Sequence, residues 1–270
     1  MVETVAVIGS GVIGGAIVKC LIESKQVGKV IATRRSLDKL VALAELGANI
    51  SDNNAIAANE ADVVFLCVKP GDIEHVLKEV AEDIIGKLVI STAAIIPLSF
   101  YESTAPGARY VRTMPNVAAI VGESFTGYSM GSSTTLEDKA TVEALLGTLG
   151  SFMEIEEKYQ DAITGLSGSG PAYIAIVIDA LTYAGLRVGL PRELSKRAAA
   201  QSVLGTAKLV MDGVHVPSEI EEMVTTPGGT TIEGIYEIED GKLRTALMNA
   251  VQAATNKCYS IKHLWEKASK

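Results

Sequence analysis

The chain has 270 residues, enough for one large or two modest domains with well-buried cores. Hydrophobic residues make up 48% of it and aromatic ones only 5%, which suits a helix-rich globule packed with Ala, Val, Ile and Leu and argues against a disordered chain. The formal net charge of −8 argues against a sequence-blind nucleic-acid binder or a protein held on an anionic membrane, since both need a basic surface.

Met1-Val2-Glu3 leads at once into a strand over 5–8, which leaves no room for a signal peptide. Short apolar runs at 30–33, 63–68, 88–91 and 110–113 read as further strands, rich in Val and Ile. Between them, 13–24, 36–46 and 72–84 carry the mixed period of amphipathic helices. Strands apolar throughout, rather than alternating, predict a parallel sheet covered on both faces. The strand–helix–strand order then predicts an α/β fold, a doubly wound sheet of the Rossmann type. A strand over 124–130 and a helix over 136–149 extend it, and 151–155 closes the sheet.

After residue 157 the texture changes, and from Pro171 onward only long Ala- and Leu-rich helical segments follow. The division expected is a dinucleotide-binding domain over 1–157 and an all-helical domain over 158–270. Residues 165–170 are rich in small side chains and read as a structured turn rather than a loose linker. The run 171–186 is apolar on nearly every side, with Asp179 its only charge before Arg187. A helix of that kind needs burial on all sides, which predicts a homodimer built through it. Charged or Gly-rich breaks interrupt every stretch long enough to span a bilayer, so the expectation is a cytoplasmic protein with no membrane partner. Cys20 and Cys67 lie within apolar patterns, where a free thiol is usually a small core residue. Cys258 stands far from both, the three His residues are scattered, and no metal site is expected.

Gly9-Ser10-Gly11-Val12-Ile13-Gly14 fits G-x-G-x-x-G, directly after the first strand and opening a helix. Gly9 allows the tight turn, Gly11 lets the backbone approach a pyrophosphate, and Gly14 lets helix and strand pack closely. The helix N-terminus, through Val12 and Ile13, faces the negative charge. At the end of the second strand stands Ala32-Thr33-Arg34-Arg35-Ser36, with no acid before Asp38. An NAD-specific site puts Asp or Glu there. Thr33, Arg34 and Arg35 instead suit a 2′-phosphate, so NADPH is expected, with NADH a weaker substitute. The bland reading is a solvated Arg pair on a loop. Val68, Lys69 and Pro70 follow the strand over 63–68 at its carboxyl end, where ligands sit in open α/β sheets. Asn54 is either a cofactor ligand or a simple helix cap. Ser91-Thr92-Ala93-Ala94 follows the next strand, and the small Ala93 and Ala94 let a flat nicotinamide ring lie close to the backbone.

Two stretches of the second half carry a resemblance to a known family. One is Thr164-Gly165-Leu166-Ser167-Gly168-Ser169-Gly170-Pro171-Ala172-Tyr173, continued by Ala184-Gly185-Leu186-Arg187-Val188-Gly189-Leu190-Pro191-Arg192. The other is Val224-Thr225-Thr226-Pro227-Gly228-Gly229-Thr230-Thr231-Ile232. With Arg112-Thr113-Met114-Pro115-Asn116 and the Val68-Lys69-Pro70 turn, they resemble the signature segments of the pyrroline-5-carboxylate reductases, in order and separation. The resemblance implies an NAD(P)H-dependent reduction of the C=N bond of 1-pyrroline-5-carboxylate to L-proline, the last step of proline biosynthesis. It also implies a helical dimerisation domain, with dimers often joining into larger rings, and a cofactor contact at Asn116. Thr226, Gly228, Gly229, Thr230 and Thr231 look like a helix start whose exposed backbone N–H groups receive a carboxylate. By resemblance Thr231, the candidate catalytic residue, sits near the imine nitrogen. Val216-Pro217, Glu221-Glu222-Met223 and Asn116-Val117-Ala118 depart from the common family pattern, which puts cofactor contacts across the subunit boundary, near Glu157 and Met223, in doubt.

A protonated imine is already electrophilic, so the absence of an evident catalytic His, Lys or Cys counts little against an enzyme. A β-hydroxyacid dehydrogenase is the nearest rival, but its chemistry needs a proton donor or base, commonly a Lys of the central helix, and there is no Lys between Lys158 and Lys196. A reductase of a related cyclic imine keeps the same motifs, whereas in a non-catalytic NADP(H)-binding sensor the stretches 167–173 and 226–231 would be surplus.

Overall fold

The computed structural model describes residues 2–268. Contacts divide the chain into two compact units: residues up to Ser169 together with those from Ala253 onward, and Gly170–Gln252 between them. This cut differs from a division at 157/158 in two ways: residues 158–169 stay with the first unit, and the end of the last helix returns to it. There Cys258 joins the core and Trp265 meets Phe100 edge-on, ring centroids 4.4 Å apart.

The first unit holds eight strands: β1 (Thr4–Ile8), β2 (Lys29–Thr33), β3 (Asn49–Ser51), β4 (Val63–Leu66), β5 (Leu88–Ser91), β6 (Arg109–Met114), β7 (Ser124–Met130) and β8 (Gly150–Glu154). They form one sheet in the order β3-β2-β1-β4-β5-β6-β7-β8. All neighbours are parallel except β6 and β7, which pair antiparallel with Val111 opposite Met130. The reversal follows from chain length. Only residues 115–123 join these strands, too few for the helical crossover that a parallel pair requires.

The helices of this unit are α1 (Val12–Ser24), α2 (Val41–Glu45), α3 (Asn54–Glu60), α4 (Ile73–Glu79), α5 (Leu98–Thr104), α6 (Leu136–Gly147) and α7 (Gln160–Ile163). Side chains leave a strand alternately on its two faces, and both faces are packed here. Ala6, Ile8, Val64, Leu66 and Val89 meet Ala57 and Ala58 of α3, Ile73 and Leu77 of α4 and Tyr101 of α5. Val5, Val7, Phe65 and Ile90 meet Ile17 and Leu21 of α1 and Val142 and Leu146 of α6 on the other face. Continuous apolar strands therefore mark a doubly wound sheet, as expected. β3, α5 and α7 have no counterpart among the expected elements, and α3 is signalled only by the alternative of a cap at Asn54; β3 has one apolar residue in three and leaves no periodic trace.

The second unit is helical: α8 (Gly170–Arg187), α9 (Arg192–Met211), α10 (Pro217–Val224), α11 (Thr230–Asp240) and the start of α12 (Leu243–Ala268). α8 and α9 pack so closely that a Cβ on Gly185 would lie 2.5 Å from Ser195 Oγ. Most of α8 is nonetheless bare, with Ile176 69% and Tyr183 55% exposed. Residues 164–168 form a π-helical turn, and the helical run continues through it from Glu157 to Arg187. The Gly-rich stretch thus does not interrupt the run. By length and composition alone this one stretch among the described residues could cross a membrane, which corrects the expectation that every such stretch is broken.

Candidate active site

The carboxyl ends of β1, β2 and β4 open into a cleft of about 800 Å³. Its floor is the turn from β1 into α1. Gly9 adopts φ +91°, and a Cβ there would lie 2.6 Å from Val68 Cγ1. Gly14 is closed in as tightly, since its Cβ would meet the Gly9 carbonyl oxygen at 2.5 Å and Cys67 Cβ at 3.1 Å. At Gly11, by contrast, a Cβ would meet nothing within 4 Å. Gly9 and Gly11 both line the cleft, and Gly11 is the one with open space before it. Gly11 also precedes the first turn of α1, and no side chain caps it. The N–H groups of Val12 and Ile13 therefore remain available to an anion, reinforced by the helix dipole.

Beside this turn, Thr33, Arg34, Arg35, Ser36 and Lys39 line the cleft. Arg34 Nη1 donates to the Ser10 carbonyl at 3.4 Å, which draws its guanidinium toward the glycine turn. The Thr33 hydroxyl donates to Asn54 Oδ1 at 2.6 Å, and Asn54 Nδ2 donates to Glu79 at 3.0 Å. Asn54 is not the cap of α3; Asn53 is, accepting from the Ile56 N–H at 3.0 Å. The capping role thus falls to the neighbouring residue, and the Asn54 side chain is left to the cleft. Val68 and Lys69 line it as well. So does Cys67, whose thiol burial pushes up to about 12, the Thr92 hydroxyl pulling weakly the other way. That thiol is neutral at any physiological pH.

Other expected residues lie around the cleft rather than on its wall. Pro70 begins a short 3-10 turn before α4. Ala93 and Ala94 follow β5, where the Ala93 N–H donates to Ser91 Oγ at 3.2 Å and Ser91 Oγ lies 2.6 Å from the Tyr101 hydroxyl. The next residue, Ile95, is buried at φ +68°, and Ile96 N–H donates to the Ala94 carbonyl at 2.9 Å. This is a tight γ-turn of the strained hand, centred on a β-branched residue. The Asn116 side chain is committed within the protein: Oδ1 accepts from the Ala118 N–H, and Nδ2 donates to the Ser167 carbonyl and hydroxyl at 3.2 Å each. Asn116 thereby ties the loop after β6 to the π-helical turn.

Several lining residues carry no motif that marks them in the sequence: Lys39, Asp52, Asp72, His75, Val76 and Glu79. The available signal was the helix after Val68-Lys69-Pro70, on which the exposed His75 and Glu79 share a face at i and i+4. Behind the sheet end, Arg112 is fully buried and donates to Asp161 at 2.7 Å and to Glu157 at 3.4 Å.

Thr226, Gly228, Gly229, Thr230 and Thr231 all belong to the second unit, at the start of α11. The Gly229 N–H donates to the Thr226 carbonyl at 2.9 Å, closing a turn with Pro227 and then Gly228 at φ +68°. That order is the type II turn, which needs a positive φ at its third residue. No side chain caps the helix at Gly229, so the N–H groups of Thr230 and Thr231 remain open to a carboxylate.

A doubly wound sheet, a glycine-opened anion site at the first helix and two arginines at the end of β2 define the class of an NADP-dependent oxidoreductase. Residues 4–95 match the family model described as NADP oxidoreductase, coenzyme F420-dependent, and residues 157–261 match that described as pyrroline-5-carboxylate reductase dimerisation. The chain is 38% identical to a pyrroline-5-carboxylate reductase of Methanosarcina acetivorans, over 94% of this chain and 96% of the relative. It is 41% identical to that of Glycine max, over 84% and 83%. Among solved structures it resembles the Plasmodium falciparum pyrroline carboxylate reductase with NADP bound, with TM-score 0.88, 27% identity and coverage of 96% and 98%. The chain belongs to the pyrroline-5-carboxylate reductase family.

Proposed function

We propose that this chain reduces the C=N bond of 1-pyrroline-5-carboxylate to give L-proline, using NADPH and, less well, NADH. The observation that carries the reading is the cleft itself: an uncapped helix start with open space at Gly11, beside the guanidinium groups of Arg34 and Arg35. Bound NADPH supplies a hydride for the imine carbon. The protein's own part is positional. The N–H groups at the start of α1 hold the pyrophosphate, and Thr33, Arg34, Arg35 and Asn54 hold the phosphorylated ribose. Val68 and Lys69 form the opposite wall, with Pro70 starting the turn behind it; Ala93 and Ala94 leave room for a flat ring, and Asn116 keeps the neighbouring loop in place.

The N–H groups of Thr230 and Thr231, exposed by Gly228 and Gly229, receive the substrate carboxylate, with the Thr226 hydroxyl beside them. The Thr231 hydroxyl bonds the imine nitrogen as its C=N electron pair becomes a lone pair. In functional terms 1–157 is the cofactor domain and 158–270 the substrate and dimerisation domain. The reading includes a homodimer through the helical segment, dimers joining into a larger ring, and work in the cytoplasm away from membranes and nucleic acid. The bare apolar side chains of α8 support self-association, because exposed apolar area of that extent calls for a partner.

The test is NADPH oxidation followed by absorbance with and without the imine, and with proline identified as product. Thr231→Ala should lower kcat with the imine about tenfold or more while NADPH affinity stays within about twofold, the worth of one directed hydrogen bond in the transition state. Equal losses in both would make Thr231 structural only. NADPH binding without imine turnover by the intact protein would revive the sensor or another cyclic imine as substrate.

A further inference from the structure

The Thr33–Asn54–Glu79 chain of hydrogen bonds is more than the placement of one ligand. Thr33 closes β2, Asn54 opens α3 and Glu79 ends α4, so three separate elements converge on one amide. The Thr33 side chain is wholly buried. Its hydroxyl donates to Asn54 Oδ1 at 2.6 Å, while Asn54 Nδ2 donates to Glu79 Oε2 at 3.0 Å. Among the described residues Glu79 forms no ion pair, although Arg34, Arg35, Lys39 and Lys69 line the same cleft. Its carboxylate is spent on a neutral amide.

An unanchored asparagine amide can turn over and offer either its oxygen or its nitrogen. An ionised carboxylate only accepts, so Glu79 requires the nitrogen on its own side. The Thr33 hydroxyl, donating from the other side, holds the oxygen there. Asn54 then has one N–H left, a donor, and no orientation in which its oxygen faces the cleft. A phosphate monoester accepts hydrogen bonds and scarcely donates, whereas a ribose hydroxyl does both. A locked donor therefore suits both, but its bond to the anionic phosphate oxygen is charge-assisted and the stronger, which favours the phosphorylated ribose.

We infer that Glu79 is a specificity-determining positioning residue, which fixes the Asn54 amide as a donor and so favours NADPH over NADH. This rests on the reading of the cleft as the NADPH site. Electrostatics alone predicts the reverse of what the relay predicts. Glu79 is a negative charge in a cleft meant for phosphate, and removing it should tighten NADPH binding if charge were all that mattered. Glutamine at the same position can donate as well as accept, which frees the amide to turn.

The experiment is calorimetric titration of the full-length protein and its Glu79→Gln and Thr33→Val variants with NADPH and with NADH, no imine being present. For each single variant the relay predicts a Kd for NADPH raised about three- to tenfold, the worth of one hydrogen bond, with the Kd for NADH changed less than about twofold. The double variant should lose less than the product of the two single losses, since both act through one amide. Tighter NADPH binding in Glu79→Gln, equal weakening for both cofactors, or multiplicative losses would each overturn the inference. Because no turnover is measured, these outcomes are independent of which imine the enzyme reduces. Failure of the unaltered protein to bind either cofactor would instead refute the cofactor reading on which the inference stands.

Discussion

Gly11 and Gly14 lie three residues apart in one motif, and adding a methyl group to each should do opposite things. At Gly14 the new Cβ would stand 2.5 Å from the Gly9 carbonyl oxygen and 3.1 Å from Cys67 Cβ, one a backbone atom and the other fixed directly to it. Neither can yield cheaply. Overpacking of this kind costs about 3 kcal/mol at the upper end of its usual range. The gain of about 1 kcal/mol from replacing glycine by alanine within a helix offsets part of it. Gly14→Ala should therefore lose about 2 kcal/mol of unfolding free energy, read as a lowered urea midpoint at unchanged slope. At Gly11 the Cβ would meet nothing within 4 Å. Gly11→Ala should cost the fold less than about 1 kcal/mol, the difference between glycine and alanine before a helix. It should raise the Kd for NADPH at least about tenfold, or about 1.4 kcal/mol, because the methyl group occupies the approach of the pyrophosphate. NADPH affinity within twofold of the unaltered protein in Gly11→Ala, or undiminished stability in Gly14→Ala, would refute the assignment of the two glycines.

Other outcomes follow from the same geometry. Arg35→Ala, and likewise Arg34→Ala, should weaken NADPH by about 1.5–3 kcal/mol while leaving NADH within twofold, which titration with both cofactors will check. Asp161→Ala removes the close partner of fully buried Arg112 and should cost about 3–5 kcal/mol of stability in urea, whereas Arg112→Met combined with Asp161→Leu should recover most of it. Burial pushes the Cys67 thiol up to about 12, above its unfolded value near 8.5. The folded state thus holds that proton more tightly, and the stability it contributes is complete below about pH 8.5 and falls as pH rises toward about 12. Native protein at pH 8 should accordingly leave Cys67 unalkylated by iodoacetamide, read by peptide mass spectrometry.

The sequence made the core of the fold legible where side-chain burial is uniform. β1, β4 and β5 are apolar at nearly every position and buried on both faces, so a parallel sheet could be read from them without a partner in view. Elements held by other forces left no such trace. β3 is three residues with one apolar side chain, and the reversal at β7 depends on the brevity of the 115–123 connection rather than on any residue type. The glycine turn was legible because each glycine has a separate steric reason, whereas Glu79 was not. An acid in the last turn of a short helix looks like a solvated charge until the fold carries it to Asn54. Ile95 was equally silent, since nothing in an isoleucine announces a positive φ.

The bare flank of α8 has a consequence for handling as much as for architecture. Ile176 and Tyr183 face water in the single chain, and in the proposed homodimer a second molecule covers them. Whatever stability that covering provides then follows mass action, and each tenfold dilution withdraws about 1.4 kcal/mol from the paired state. Enzyme diluted to assay concentrations and enzyme at stock concentration would then be different preparations, the first losing activity with time and the second not. Thermal midpoints acquire meaning only beside the protein concentration at which they were taken.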